Sequence, residues 1–122
     1  MFNYQHSVTR AHQATVCEFT AQAILVNVES ERKEIFYFKL VDGPRAGKIY
    51  TCLIQNKDMY PSGEHDTRLL CSILGIDSIS LMFEDLCFSH VINRRYNVKY
   101  RLSYTTFDMP IFTLLDVVIR AD

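Results

Sequence analysis

The hydrophobic period changes twice along this chain, and those two changes limit the folds open to it. From Glu34 to Val41 the side chains alternate: Phe36, Phe38 and Leu40 share one face of an extended segment, Ile35, Tyr37, Lys39 and Val41 the other. Between Asp66 and Gly75 the spacing becomes three and four, with Leu69, Leu70, Ile73 and Leu74 along one stripe of a short helix, Asp66 as its N-cap and Gly75 as its stop. From Val91 to Tyr104 alternation returns. Ile92, Tyr96, Val98, Tyr100 and Leu102 share one parity, and Asn93, Arg95, Asn97, Lys99, Arg101 and Ser103 share the other. One face of that strand is apolar and the other cationic.

The remaining segments complete the order. Residues 1–14 are polar and unpatterned and read as an arm preceding a single domain over 15–122. "VCEFTAQAILVNV", Val16 to Val28, mixes β-branched and apolar residues over a length that suits one long strand, curved or bulged. "DGPRAG" is a turn, in which Gly43 and Gly47 tolerate positive φ and Pro44 fixes its own, and Lys48 to Ile54 is the third strand. A further helical turn is expected in "SISLMFEDL" with Ser80 as N-cap, and "IFTLLDVVIRAD" supplies the last strand. The order β-β-β-α-β-β predicts a mainly β fold: a five-stranded Greek-key barrel of the oligonucleotide/oligosaccharide-binding (OB) type, with one helix between strands three and four. The alternative is an open α+β sheet with one helix packed on it.

A length of 122 residues suits one core. No run of about 18 uncharged apolar residues occurs, and "MFNYQHSVTR" lacks the basic-then-apolar order of a secretion signal, so a soluble cytoplasmic protein with no membrane partner is expected. Cys17, Cys52, Cys71 and Cys87 form no C-x-x-C pair and lie among apolar neighbours, which predicts reduced core cysteines. The formal net charge of −1 is unlike that of most nucleic-acid binders, but the charges are sorted: acids gather in "VESERKE", "EHD" and "DSISLMFED", while "RRYNVKYR" has four cations and no acid.

Little here resembles an active site. His6 and His12 lack further metal ligands nearby, "GEHD" at 63–66 sits where acids cap a helix, and His90 stands alone. "DGPRAGK" has the wrong spacing for a phosphate-binding loop, and no G-x-S-x-G or H-E-x-x-H motif occurs. The chain is therefore read as a binding protein without enzymatic activity, metal or cofactor.

Cations that follow a phosphate backbone and aromatics on which bases stack are both present. Tyr37 and Lys39 face outward on the second strand, Arg45 and Lys48 lie at the turn, Tyr50 is on the third strand, and Arg95, Lys99 and Arg101 are on the fourth. Arg32 and Lys33 occupy the loop between strands one and two, and Tyr104 and Phe107 that between strands four and five, the loops that flank the groove of such barrels. Tyrosines and cations at outward strand positions are equally what an ordinary soluble sheet carries. Tyr96 and Tyr100, on the apolar parity, are assigned to the core.

"FYFKLVDGPRAGKIYTCLI", "TRLLCSILGI" and "DLCFSHVINRRYNVKYRL" resemble, in order and spacing over residues 30–102, a phage-encoded family long described only as a domain of unknown function and taken to bind single-stranded DNA. Val41, Gly43, Pro44, Gly47, Lys48 and Ile49 match its turn; Leu70, Cys71, Gly75 and Ile76 its helix; Asp85, Leu86, Val98 and Lys99 its later strand. Phe88 and Ser89 stand where the family has an L-x-G-K turn, and "VIRAD" replaces a flexible acidic tail, so any partner would be recruited by another surface. The resemblance implies an OB fold and non-sequence-specific single-stranded DNA binding in phage or mobile-element replication or recombination. The rival expectation is a protein–protein module, such as an inhibitor of a host defence complex or a subunit of a larger nucleoprotein assembly. A homodimer through edge strands is a further expectation.

Overall fold

The computed structural model describes residues 17–30, 34–54, 64–83 and 87–120, the side chains of 64, 65, 78, 82 and 83 excepted. The arm at 1–14, the loop cations Arg32 and Lys33, and Asp85 and Leu86 lie outside these residues. Five antiparallel strands, β1 (Cys17–Ser30), β2 (Glu34–Leu40), β3 (Ile49–Ile54), β4 (Arg95–Tyr104) and β5 (Pro110–Ile119), form one sheet in the order β3-β2-β1-β4-β5. Helices α1 (Glu64–Leu74) and α2 (Ser78–Phe83) and a 3-10 turn at Ser89–Val91 join β3 to β4. The sheet curls into a half-barrel, so the protein is mainly β and OB-fold-like.

β1 serves both halves of the curl. Its first part pairs with β4, from Cys17↔Leu102 to Ile24↔Arg95, and its second with β2, from Ala23↔Leu40 to Ser30↔Glu34. Ala23 is buried in both ladders at once, and its small side chain leaves room for the rings of Phe38 and Tyr96, which meet edge to face 6.0 Å apart. The register shifts between Leu25 and Asn27, a bulge at Val26 that bends the strand as its length demands.

The strand parities read from the sequence hold. Phe36, Phe38 and Leu40 are fully buried, as are Tyr96 and Tyr100, while Lys39, Arg95, Asn97 and Lys99 are exposed. β5 departs from simple alternation because Leu115 is an extra residue opposite Lys99 and Tyr100: Phe112 and Leu114 point inward before the bulge, Val117 after it.

α1 lays Leu69, Leu70, Ile73 and Leu74 on the core and ends at Gly75, whose φ of +74° suits glycine, with the Ile76 and Gly75 amides donating to the Cys71 carbonyl at 3.1 and 2.8 Å. Both expected caps move. α1 begins at Glu64, so Asp66 lies inside its first turn rather than capping it. The cap of α2 is Asp77, whose carboxylate accepts the Ser80 amide at 2.7 Å, because Asp77 precedes the helix and Ser80 is its third residue. The cysteines also divide: only Cys52 is buried, Cys71 is half-buried, and Cys17 and Cys87 are exposed. Cys17 starts a strand and Cys87 precedes a 3-10 turn, so apolar neighbours in sequence do not bury them.

The turn between β2 and β3 is a built hairpin. The Gly47 amide donates to the Leu40 carbonyl at 2.7 Å and the Lys48 amide to the Arg45 carbonyl at 3.1 Å. Gly43 and Gly47 have φ of +78° and +89° with open space where a Cβ would stand, so the need for glycine is conformational. Among the described residues no helix is long and apolar enough to cross a membrane.

Candidate nucleic-acid interface

Four strands each contribute an aromatic side chain to one row toward a mouth of the half-barrel. Phe19 of β1 pairs in register with Tyr100 of β4, and their rings stack at 5.4 Å. Tyr100 stacks on Phe112 of β5 at 4.9 Å, and Phe112 on Tyr50 of β3 at 5.2 Å with the planes 8° apart. β3 and β5 share no ladder, so this last contact is what closes the curled sheet at the mouth.

Arg45 tops the row. The β2–β3 turn carries its guanidinium to 4.3 Å over the Phe19 ring, and Nη1 donates to the Tyr100 hydroxyl at 3.5 Å. Partial burial opposes the charge, but the phenols of Tyr100, Tyr50 and Tyr104 outweigh it and hold the guanidinium above its ordinary value. Burial also raises the Tyr50 phenol. Arg45 therefore stays a cation beside the Tyr50 ring.

The β4–β5 hairpin forms the other lip. The Thr105 amide donates to the Met109 carbonyl at 2.9 Å, and Thr105 Oγ1 accepts the Phe107 and Met109 amides at 3.2 Å each. Asp108 takes φ of +60°, a conformation aspartate tolerates. With its backbone satisfied, this tip leaves Tyr104, Phe107 and Met109 exposed.

The sequence-derived residues thus fall on two surfaces. Arg45, Tyr50 and Tyr104 lie at the mouth, with Lys48 exposed in the turn beside it. Tyr50 is on the inward parity of β3, not outward with Tyr37, because it shares the face of buried Cys52 and Ile54. Tyr37, Lys39, Arg95, Lys99 and Arg101 lie on the convex outer face, where Lys39 and Arg95 flank Ile24 in adjoining registers. That face is largely neutralised. Glu18 pairs with Lys99 at 3.3 Å and Arg101 at 3.4 Å, and those cations, Lys99 first, hold its carboxyl below the ordinary range. Tyr37 donates its hydroxyl to Glu29, which raises the phenol's pKa. A shallow depression of about 470 Å³ beside Lys99 is lined by Gln22, Asn97, Asp42 and Asp116, an acidic rather than a phosphate-binding setting.

Sequence reasoning passed over Phe19 and Phe112, while its assignment of Tyr100 to the core holds. The signal was there for Phe19, an aromatic near the start of the inward parity of β1. The β5 bulge hid Phe112. Among the described residues no group of three His, Cys, Asp or Glu side chains is placed to hold a metal ion.

The fold and mouth define a class, an OB-like half-barrel with an arginine-topped aromatic row at one opening. No protein-family model matches the chain, and no curated protein or solved structure matches it significantly.

Proposed function

We propose that the chain binds single-stranded DNA without sequence preference, taking unpaired bases at the barrel mouth, in the replication or recombination of a phage or mobile element. The observation that supports this most is Arg45 held over Phe19 at the head of the Phe19–Tyr100–Phe112–Tyr50 row, beside exposed Tyr104. The exposed rings of Tyr104 and Phe107 on the neighbouring hairpin offer π faces to any base, and the Arg45 guanidinium serves either a base or a phosphate. The family resemblance of residues 30–102 points the same way.

The mouth differs from the outward strand face in one measurable respect. Among the described residues Arg45 and Lys48 are its cations, and two single-strand phosphate contacts give a slope of log K against log salt near about −1.4, whereas Lys39, Arg95, Lys99 and Arg101 together would give about −3. Anisotropy titrations of labelled oligo-dT over a salt series are expected to show the shallow slope, with Tyr104→Ala weakening binding by ~1–3 kcal/mol. No binding at low salt would refute the reading.

A second reading, a protein–protein module, draws on the pairing of Lys99 and Arg101 with Glu18, which leaves the convex face without a strong positive field. Capture of a host protein that survives nuclease treatment and is lost on reversing those charges would favour it.

A further inference from the structure

The two lips of the mouth are opposite in charge, and both lie wholly within the described residues. The β2–β3 turn, 41–48, brings Arg45 and exposed Lys48. Its one acid, Asp42, is engaged elsewhere: the carboxylate accepts the Gln22 amide at 2.8 Å and borders the depression on the convex face. The β4–β5 tip, from Tyr104 to Pro110, has no lysine or arginine and carries the exposed acid Asp108 between Phe107 and Met109. Arg101, the cation nearest to it along the chain, is on the outward parity and paired with Glu18 at 3.4 Å. The tip has no spare backbone donor at its apex either, because the Phe107 and Met109 amides donate to Thr105 Oγ1 and the Asp108 amide to the Thr105 carbonyl. One lip is made for phosphates, and the other is closed to them.

A single strand and a duplex meet such a mouth differently. An unpaired strand is itself two-sided, with phosphates along one edge and base faces free on the other. It can set phosphates on Arg45 and Lys48 and bases on Phe107 and Tyr104, whose side chains are 87% and 53% exposed. A duplex keeps its base faces stacked inside and shows the phosphates of two strands, one charge per about 1.7 Å of axis. When one backbone reaches the turn, the tip is left beside phosphate. Asp108 then meets a like charge, and Phe107 displaces water from a phosphate without pairing with it.

We propose that the β4–β5 tip selects single strands over duplex DNA, Phe107 by taking an unpaired base and Asp108 by repelling the phosphates of a duplex. This rests on the reading of the mouth as a single-stranded DNA site and adds a cost against the wrong form to the contacts with the right one. It also decides what Arg45 takes. With bases drawn to the rings of the hairpin, the phosphates are left to the turn.

The test is anisotropy at about 50 mM salt with labelled oligo-dT, alone and paired with oligo-dA, read as the ratio of the two affinities. The wild-type protein should prefer the single strand by about tenfold or more. One added phosphate contact at this salt is worth about tenfold for a duplex, so Phe107→Lys should lower the ratio by at least that factor. Asp108→Asn, which keeps a residue tolerant of the φ of +60°, should lower it about threefold. Circular-dichroism melts check folding; should Phe107→Lys fail to fold, Met109→Lys places the charge on the same tip and carries the same expectation. Ratios unchanged in the folded variants, or a wild-type ratio near one, would overturn the inference and leave single-strand binding standing. Absence of oligo-dT binding by the wild-type protein would refute the function of the mouth itself, and the role of the tip with it.

Discussion

Tyr96→Phe removes one oxygen and tests how α1 is fastened to the barrel. Tyr96 is fully buried, its ring edge to face with Phe38, and its hydroxyl donates to the Ile73 carbonyl at 2.7 Å. Ile73 lies in the last turn of α1, where carbonyls have no amide four residues on within the helix, so the phenol serves as a tertiary cap. Phenylalanine keeps the ring packing and leaves that carbonyl buried and unpartnered. The loss is about 1–2 kcal/mol, which for a domain near 100 residues lowers Tm by roughly 4–12 °C. Tyr104→Phe, which removes an exposed hydroxyl, is the control and should change Tm little. Burial pushes the Tyr96 phenol up to about 12. Because the folded value is raised, its contribution is fully present below the unfolded value near 10 and is lost as pH climbs toward 12. The gap between wild type and Tyr96→Phe should therefore hold constant to about pH 10 and narrow above it. A Tm shift under about 1 °C, or a gap that widens with alkali, would show that α1 is not held this way.

Three further outcomes concern the cysteines and Glu18. Cys87 is exposed and its thiol is lowered by Ser89, while burial raises the Cys52 thiol to about 12; a timed thiol-reagent titration should label Cys87 early and Cys52 only on unfolding. The Glu18 carboxyl is depressed by Lys99 and Arg101, so its stabilisation is present above the unfolded value and lost as pH falls through the folded one; Glu18→Gln should flatten that part of the acid limb in pH-dependent melts. The same variant frees both cations, yet oligonucleotide affinity should stay unchanged. Tightening by about tenfold would move the site to the convex face.

The β-β-β-α-β-β order, the inward set on β2 and β4, the glycine-containing hairpin and the stripe of α1 were all legible in the chain, because each rests on a period or turn that spans a few residues. Element ends were less so. Asp66 and Ser80 are both good capping residues, and which residue caps depends on where the helix begins. The exposure of Cys17 and Cys87 shows the same limit, since apolar neighbours in sequence do not fix what covers a side chain. As for the candidate residues, parity correctly put Tyr37, Lys39, Arg95, Lys99 and Arg101 on one face.

What parity could not reveal is that Glu18 reaches across from β1 to occupy two of those cations, or that Tyr50 belongs to the inward row. Sequence patterns record which side of its own strand a residue occupies. They do not record how far the sheet curls, and the curl, set by the bulges at Val26 and Leu115, brings β5 against β3 and stacks Phe112 on Tyr50. The hairpin at "DGPRAGK" joins both levels: its glycines are explained by local backbone geometry, whereas the lodging of Arg45 over Phe19 and beside Tyr100 exists only because strands distant in sequence meet at one mouth.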